Sequence, residues 1–265
     1  VKKLVSVVRG TVKRFSDDGG TFMAQALAFN AIFAIFPLVI LIVAALGYVY
    51  GSSDGQARAL ALIGSFAPEV RGILADNIRQ AIEFRGTSGA IALVALVWSG
   101  KNLFQGLAYA LNRALDIPTG RPLLSDILVA LVMVPILGFL FVIATAVPLV
   151  ISLIVRYGGF RNAAMVTTLA GYGTGLILIF VVTLVLYTYL PNRRMGLGFA
   201  VPGAIFVTVA WELAQIAFAL YTTHVDYSHV YGALGAFALL LIWFYYMATI
   251  FLFGAELCAE TAAPS

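Results

Sequence analysis

Six stretches of this chain run past the ~20 apolar residues that a helix needs to cross a bilayer. They extend from about Phe22 to Tyr50, Ser88 to Leu111, Ile127 to Val155, Ala163 to Leu190, Leu197 to Thr222 and Val230 to Ala259. A spanning segment must pair its own backbone groups, so it folds as a helix or joins a closed barrel. Barrel strands alternate over ~10 residues, and these runs are longer and do not alternate. Charged residues make up 11% of the 265 residues, against roughly 25% in a soluble domain. Too few charges remain to cover a globule with solvated side chains, which excludes a soluble enzyme. The 62% hydrophobic content excludes a disordered chain. Pro37, Pro135 and Pro148 lie inside the runs. Prolines are tolerated there when neighbouring helices satisfy the freed carbonyls, so the runs should pack as a bundle.

The expected fold is therefore an all-α polytopic membrane protein. Its six transmembrane helices form one membrane domain over residues 19–260. Residues 1–18 read as a basic amphipathic helix lying on the membrane surface. Val1, Leu4, Val5, Val8, Val12 and Phe15 recur at helical spacing, with Lys2, Lys3, Arg9, Lys13 and Arg14 between them. Residues 51–87 read as an amphipathic hairpin between the first and second spans. Its four Arg balance four acids, so anionic lipid would hardly attract it. Residues 261–265 are a short tail. Five Lys or Arg precede the first span, and Arg113, Arg121, Arg193 and Arg194 lie in connections on the same side. By the positive-inside rule both termini face the cytoplasm and the hairpin faces outward. Tyr48, Tyr50, Tyr187, Tyr189, Tyr227 and Tyr231 read as interface belts.

Little in the chain could carry catalysis. Cys258 is the single cysteine and there are two histidines, too few for an ordinary zinc or iron–sulfur site. His224, Asp226 and His229 form one cluster, in a connection expected on the outer side, and read as hydrogen-bonded loop residues. No Gly-x-Ser-x-Gly or phosphate-cradling glycine loop is present. Gly171 and Gly175 form a GxxxG pair, which on an apolar helix points to close helix packing. The expectation is no enzyme, no cofactor, no metal and no nucleic-acid partner.

Polar residues inside the spans are the stronger signal, because a charge at mid-bilayer costs at least ~2.5 kcal/mol. Lys101 lies about 20 Å below the outer surface, or about 10 Å above the cytoplasmic one, at 1.5 Å per residue. Trp98, Lys101, Gln105 and Asn112 form one stripe on the second span. Thr208, Glu212 and Gln215 form another on the fifth. Lys101 and Glu212 differ by about 11 Å in depth, so Asn30 on the first span is the nearer partner for Lys101. One reading is a polar cleft lined by Asn30, Trp98, Lys101, Gln105, Glu212 and Gln215. The other is that these residues glue helices together, or that Lys101 snorkels to the cytoplasmic surface. Glu256 and Glu260 sit at i, i+4 near the end of the sixth span. They read as a solvated end, although Gly254 would let a helix approach closely and the basic arm or Arg113 could bind Glu256.

Several blocks resemble the YihY/BrkB family of membrane proteins. One is Ala26-Leu27-Ala28-Phe29-Asn30-Ala31-Ile32-Phe33-Ala34-Ile35-Phe36-Pro37. Another is Leu96-Val97-Trp98-Ser99-Gly100-Lys101 followed by Ala110-Leu111-Asn112. The most specific is the ordered ending: Pro202-Gly203-Ala204, Trp211-Glu212-Leu213, Tyr221, Tyr231-Gly232-Ala233-Leu234-Gly235 and Gly254-Ala255-Glu256-Leu257. The resemblance implies a six-helix protein of the bacterial inner membrane with a virulence and serum-resistance association. An older label, ribonuclease BN, implies RNA cleavage, but no catalytic residues carry over. The leading expectation is movement of a solute or lipid through the cleft, with membrane lipids as partners. An envelope scaffold or interaction protein is the alternative, and a ribonuclease is disfavoured.

Overall fold

The computed structural model describes residues 2–50, 85–118, 123–158, 163–224 and 227–262. Among them stand seven helices and no strand. They are α1 (Lys2–Asp17), α2 (Gly20–Tyr50), α3 (Arg85–Ala114), α4 (Leu123–Tyr157), α5 (Ala163–Tyr189), α6 (Leu197–His224) and α7 (Tyr227–Ala262). The all-α expectation holds for these residues. The expected hairpin lies outside them except for its last residues, 85–87, which open α3. Three segments are long and apolar enough to cross a membrane: Met165–Tyr189, Leu197–Tyr221 and Phe237–Ala262. That measure, applied to the described residues, stops short of the expected six. Phe139, Tyr172, Ile177 and Leu213 are among many large apolar side chains left exposed. In water so much exposed apolar surface would aggregate; acyl chains are its natural solvent.

The helix ends follow local chemistry. Gly19 separates α1 from α2 with φ +70°, a conformation that costs glycine nothing. It closes the first helix through a bond from its N–H to the Ser16 carbonyl, 3.1 Å. Past the end of α3 the left-handed position is filled by Asp116 (φ 54°), where glycine is usual. The Ile117 N–H reaches back to the Asn112 carbonyl at 2.8 Å, completing a Schellman-type cap.

The residues group into two compact units. The first comprises Val1–Met23, Leu107–Ala214 and Thr249–Ser265. Here α4 packs along α5, and α6 meets α7 at a glycine crossing. A Cβ on Gly203 would sit 2.3 Å from the Gly254 carbonyl oxygen and 2.4 Å from Cys258 Sγ. Only hydrogen fits at that crossing. Tyr187, on α5, seals it: the side chain is fully buried and its hydroxyl donates to the Phe251 carbonyl. This corrects the expectation that Tyr187 belongs to an interface belt. Its depth in the bundle obliges its hydroxyl to find a partner. The GxxxG expectation is also corrected. A Cβ on Gly171, Gly173 or Gly175 would meet nothing within 4 Å among the described residues, where the close packing lies at Gly203 and Gly254 instead.

The second unit comprises Ala24–Gly106 and Gln215–Ala248. One face of α2 is buried through Ala24, Leu27, Ala28 and Ile32, at the i, i+3, i+4, i+8 spacing of a core stripe. The opposite face presents Phe29 and Phe33, their ring centroids 4.7 Å apart and both rings exposed. Phe218 packs on Trp243 with centroids 4.7 Å apart.

A lateral groove and an ionic clamp

Within the second unit α2 and α3 touch closely at Gly106. A Cβ there would lie 3.2 Å from Leu27 Cδ2 and 3.3 Å from Asn30 Nδ2. Beyond that contact a groove of about 940 Å³ lies between the two helices. On α2 it is lined by Phe29, Asn30, Phe33 and Pro37, one face at i, i+4, i+8. On α3 the lining includes Ile91, Val94, Ala95, Trp98, Ser99 and Asn102. Small side chains at Ala95 and Ser99 leave the space, and aromatic and branched residues wall it. Trp98 keeps 67% of its surface exposed, so the groove opens sideways. Its volume is at the upper end of the ~300–1,000 Å³ typical of ligand sites. Asn30, Ser99 and Asn102 are its polar groups.

The expected cleft residues are placed as follows. Asn30 and Trp98 line the groove together. Lys101, half-buried, lies one turn beyond Trp98 on α3 and holds Nζ 5.3 Å from the centre of the Trp98 ring, within cation–π range. Gln105 is half-buried a further turn along. Glu212 is half-buried and Gln215 exposed, both on α6 and both outside the described lining of the groove. Two other stripe members have local roles. Thr208 donates to the Ala204 carbonyl of its own helix at 2.8 Å, and buried Asn112 accepts the Asn192 N–H at 2.8 Å. The walls Phe29, Phe33, Ile91 and Val94 escaped sequence reasoning because apolar side chains inside apolar runs carry no mark. Ser99 and Asn102 were missed as well, although as polar positions flanking Lys101 they carried a signal that the stripe of Trp98, Lys101, Gln105 and Asn112 passed over.

In the first unit the expected solvated end of α7 is instead a buried ion pair. Glu256 is 1% exposed, and Arg14 Nε of α1 donates to its Oε2 at 3.2 Å. The same guanidinium donates through Nη2 to Asp116 Oδ2 at 2.7 Å and to the Ala114 carbonyl at 3.1 Å. One arginine thus holds a buried carboxylate, an orphan carbonyl at the end of α3 and the left-handed cap residue beside it. Burial alone would lower the pKa of Arg14, but the hydrogen bond and charge of Asp116 and the charge of Glu256 raise it. Arg113 Nε pairs back to Asp18 Oδ1 at 3.0 Å. Gly10 lies so near Glu260 that a Cβ would be 2.1 Å from its Oε1, and Phe15 packs on Phe253 with centroids 5.7 Å apart. This side of α1 is docked. Val5, Val8, Val12, Arg9 and Lys13 are exposed. Of the two partners the sequence offered Glu256, the basic arm takes it and Arg113 does not.

Among the described residues no three His, Cys, Asp or Glu side chains gather into a metal-ligand set. Of the expected His224–Asp226–His229 cluster, Asp226 and the side chains of both histidines lie outside what is described.

A family model described as virulence factor BrkB matches residues 11–264. The Bacillus subtilis protein YfkH, whose name calls it ribonuclease-like, is 25% identical over 96% of this chain and 94% of its own length. A UPF0761 membrane protein of Pseudoalteromonas atlantica is 27% identical over 94% of this chain and 84% of its own. Another, from Coxiella burnetii, is 28% identical over 92% of this chain and 88% of its own. No solved structure matches the chain.

Proposed function

This chain belongs to the BrkB family of membrane proteins, and from that premise we propose that it seats a membrane lipid in the α2–α3 groove and moves it along that helix pair. The observation that carries this reading is the groove itself. It is walled by Phe29, Phe33, Ile91, Val94 and Trp98, opens sideways, and holds Asn30, Ser99 and Asn102. Apolar walls with a few convergent polar groups suit an amphiphile; a small hydrophilic solute would gain little from them.

The setting is a six-span protein of the bacterial inner membrane with both termini in the cytoplasm. α1 lies at the interface there, its exposed Val5, Val8 and Val12 in the acyl boundary and Arg9 and Lys13 toward anionic headgroups. Glu212, half-buried, and Gln215, exposed, are further polar positions on α6. YfkH carries a ribonuclease-like name, and assay of the purified protein on RNA tests that chemistry for this chain.

The test is cross-linking with a photoactivatable phospholipid in nanodiscs, mapped by peptide mass spectrometry. Labels should concentrate on residues 29–37 and 90–102, and Ala95→Trp, which fills the groove, should remove them. Labels spread evenly over all apolar helices, unchanged by Ala95→Trp, would refute the reading and leave an envelope scaffold in its place.

A further inference from the structure

We propose that the lipid held in this groove is anionic, and that Lys101 holds its charged headgroup while the acyl chain runs along α3 toward Ala90. The inference rests on the lipid-seating reading above and names the chemical class of the occupant. Lys101 is not itself among the lining residues, but it adjoins Asn102, which is, and its ammonium lies over the ring of Trp98, a groove wall. The ring takes one face of the ammonium and leaves N–H donors for an anion. Within its own unit the described residues contain no Asp or Glu at all. A lysine inside the hydrocarbon is costly unless an anion or water meets it; those residues supply no anion, and a lipid headgroup seated in the groove would.

Length supports the same occupant. From Asn102 to Ala90 the groove runs about 18 Å along α3 at 1.5 Å per residue. One leaflet is about 15 Å deep, half of a ~30 Å core. The groove therefore takes one extended acyl chain. With both termini cytoplasmic, α3 runs from outside to inside. A lipid with its headgroup at Lys101 and its tail toward Ala90 has the polarity of the cytoplasmic leaflet. Lys101 lies about 10 Å above the cytoplasmic surface by the same rise. The bound lipid is thus drawn partway into the membrane, as a lipid in transit would be.

The experiment is native mass spectrometry of the full chain released from mixed micelles. The micelles contain equal amounts of phosphatidylglycerol and phosphatidylethanolamine with matched acyl chains. Wild type should retain phosphatidylglycerol at least about fivefold over phosphatidylethanolamine, the effect of one basic residue near an anionic lipid. Lys101→Gln should bind both lipids about equally, and Lys101→Arg should keep the preference. Equal retention of both lipids by wild type, with both lost in Ala95→Trp, would overturn the anionic assignment and leave the groove standing. A preference that survives Lys101→Gln would overturn the role of Lys101. Retention unaffected by Ala95→Trp would overturn the groove itself and this inference with it. The comparison within wild type needs no variant, so a Lys101→Gln protein that fails to fold does not block the test.

Discussion

Replacing Arg14 by Met should destabilise the protein more than replacing Glu256 by Gln, although both break the same 3.2 Å contact. The asymmetry follows from burial. Glu256 is 1% exposed, whereas Arg14 keeps 28% of its side chain in contact with solvent. Arg14→Met leaves the buried carboxylate without its partner, for which ~3 kcal/mol is the lower end of measured costs. It also frees the Ala114 carbonyl, worth about 1 kcal/mol. The Asp116 contact adds little, because Asp116 is 73% exposed and such pairs are worth ~0–1 kcal/mol. Glu256→Gln keeps the shape and an acceptor, and Arg14 retains Asp116 and Ala114, so ~1 kcal/mol is expected. Removing both charges should help: in Arg14→Met/Glu256→Leu an apolar pair replaces the ionic one, and at least ~2 kcal/mol of the single-variant loss should return. Detergent-induced unfolding of purified protein, moving from mild micelles into dodecyl sulfate and followed by tryptophan fluorescence, measures all three. An Arg14→Met protein no weaker than Glu256→Gln, or a double variant no stronger than Arg14→Met, would refute the account of a buried carboxylate held by one arginine.

Four further outcomes are expected. Gly203→Ala should cost ~1–3 kcal/mol in the same unfolding assay, because the new methyl meets the Gly254 backbone at 2.3 Å and overpacking is not relieved there; Gly171→Ala and Gly175→Ala, which meet no described neighbour, should be no less stable than wild type. Reporter fusions after Asp18 and after Glu260 should read cytoplasmic and one within residues 53–85 extracytoplasmic; a cytoplasmic signal from the last would overturn the topology. Glu212→Gln should unfold at the wild-type midpoint yet slow lipid movement between leaflets in proteoliposomes, whereas a Glu212→Leu protein as stable as wild type would place that carboxylate against lipid and end any role for it in transport. Highly purified protein should leave RNA intact with added divalent metal; cleavage lost in His224→Ala/Asp226→Ala would restore the ribonuclease reading.

The sequence by itself determined the material of this protein. Long uncharged runs admit only backbone-satisfied helices, so helices of 27 to 36 residues from α2 to α7 were legible without coordinates. So was the basic amphipathic α1, and Asn30, Trp98 and Lys101 could be marked as candidates, since a polar group in an apolar run stands out against its cost. Tertiary structure decided which helix faces meet. Helical periodicity shows that Gly171 and Gly175 share a face, as it shows that Gly254 precedes Glu256, but it cannot say which glycine has a neighbour. Contact between helices depends on crossing points and rotations, which an all-round apolar helix leaves unmarked. For the same reason the fate of Tyr187 and the aromatic walls of the groove lay beyond the sequence. The pairing of Arg14 with Glu256, 242 residues apart, is the clearest case. Charge made both residues visible, and the bond between them exists only because α1 folds back against the end of α7.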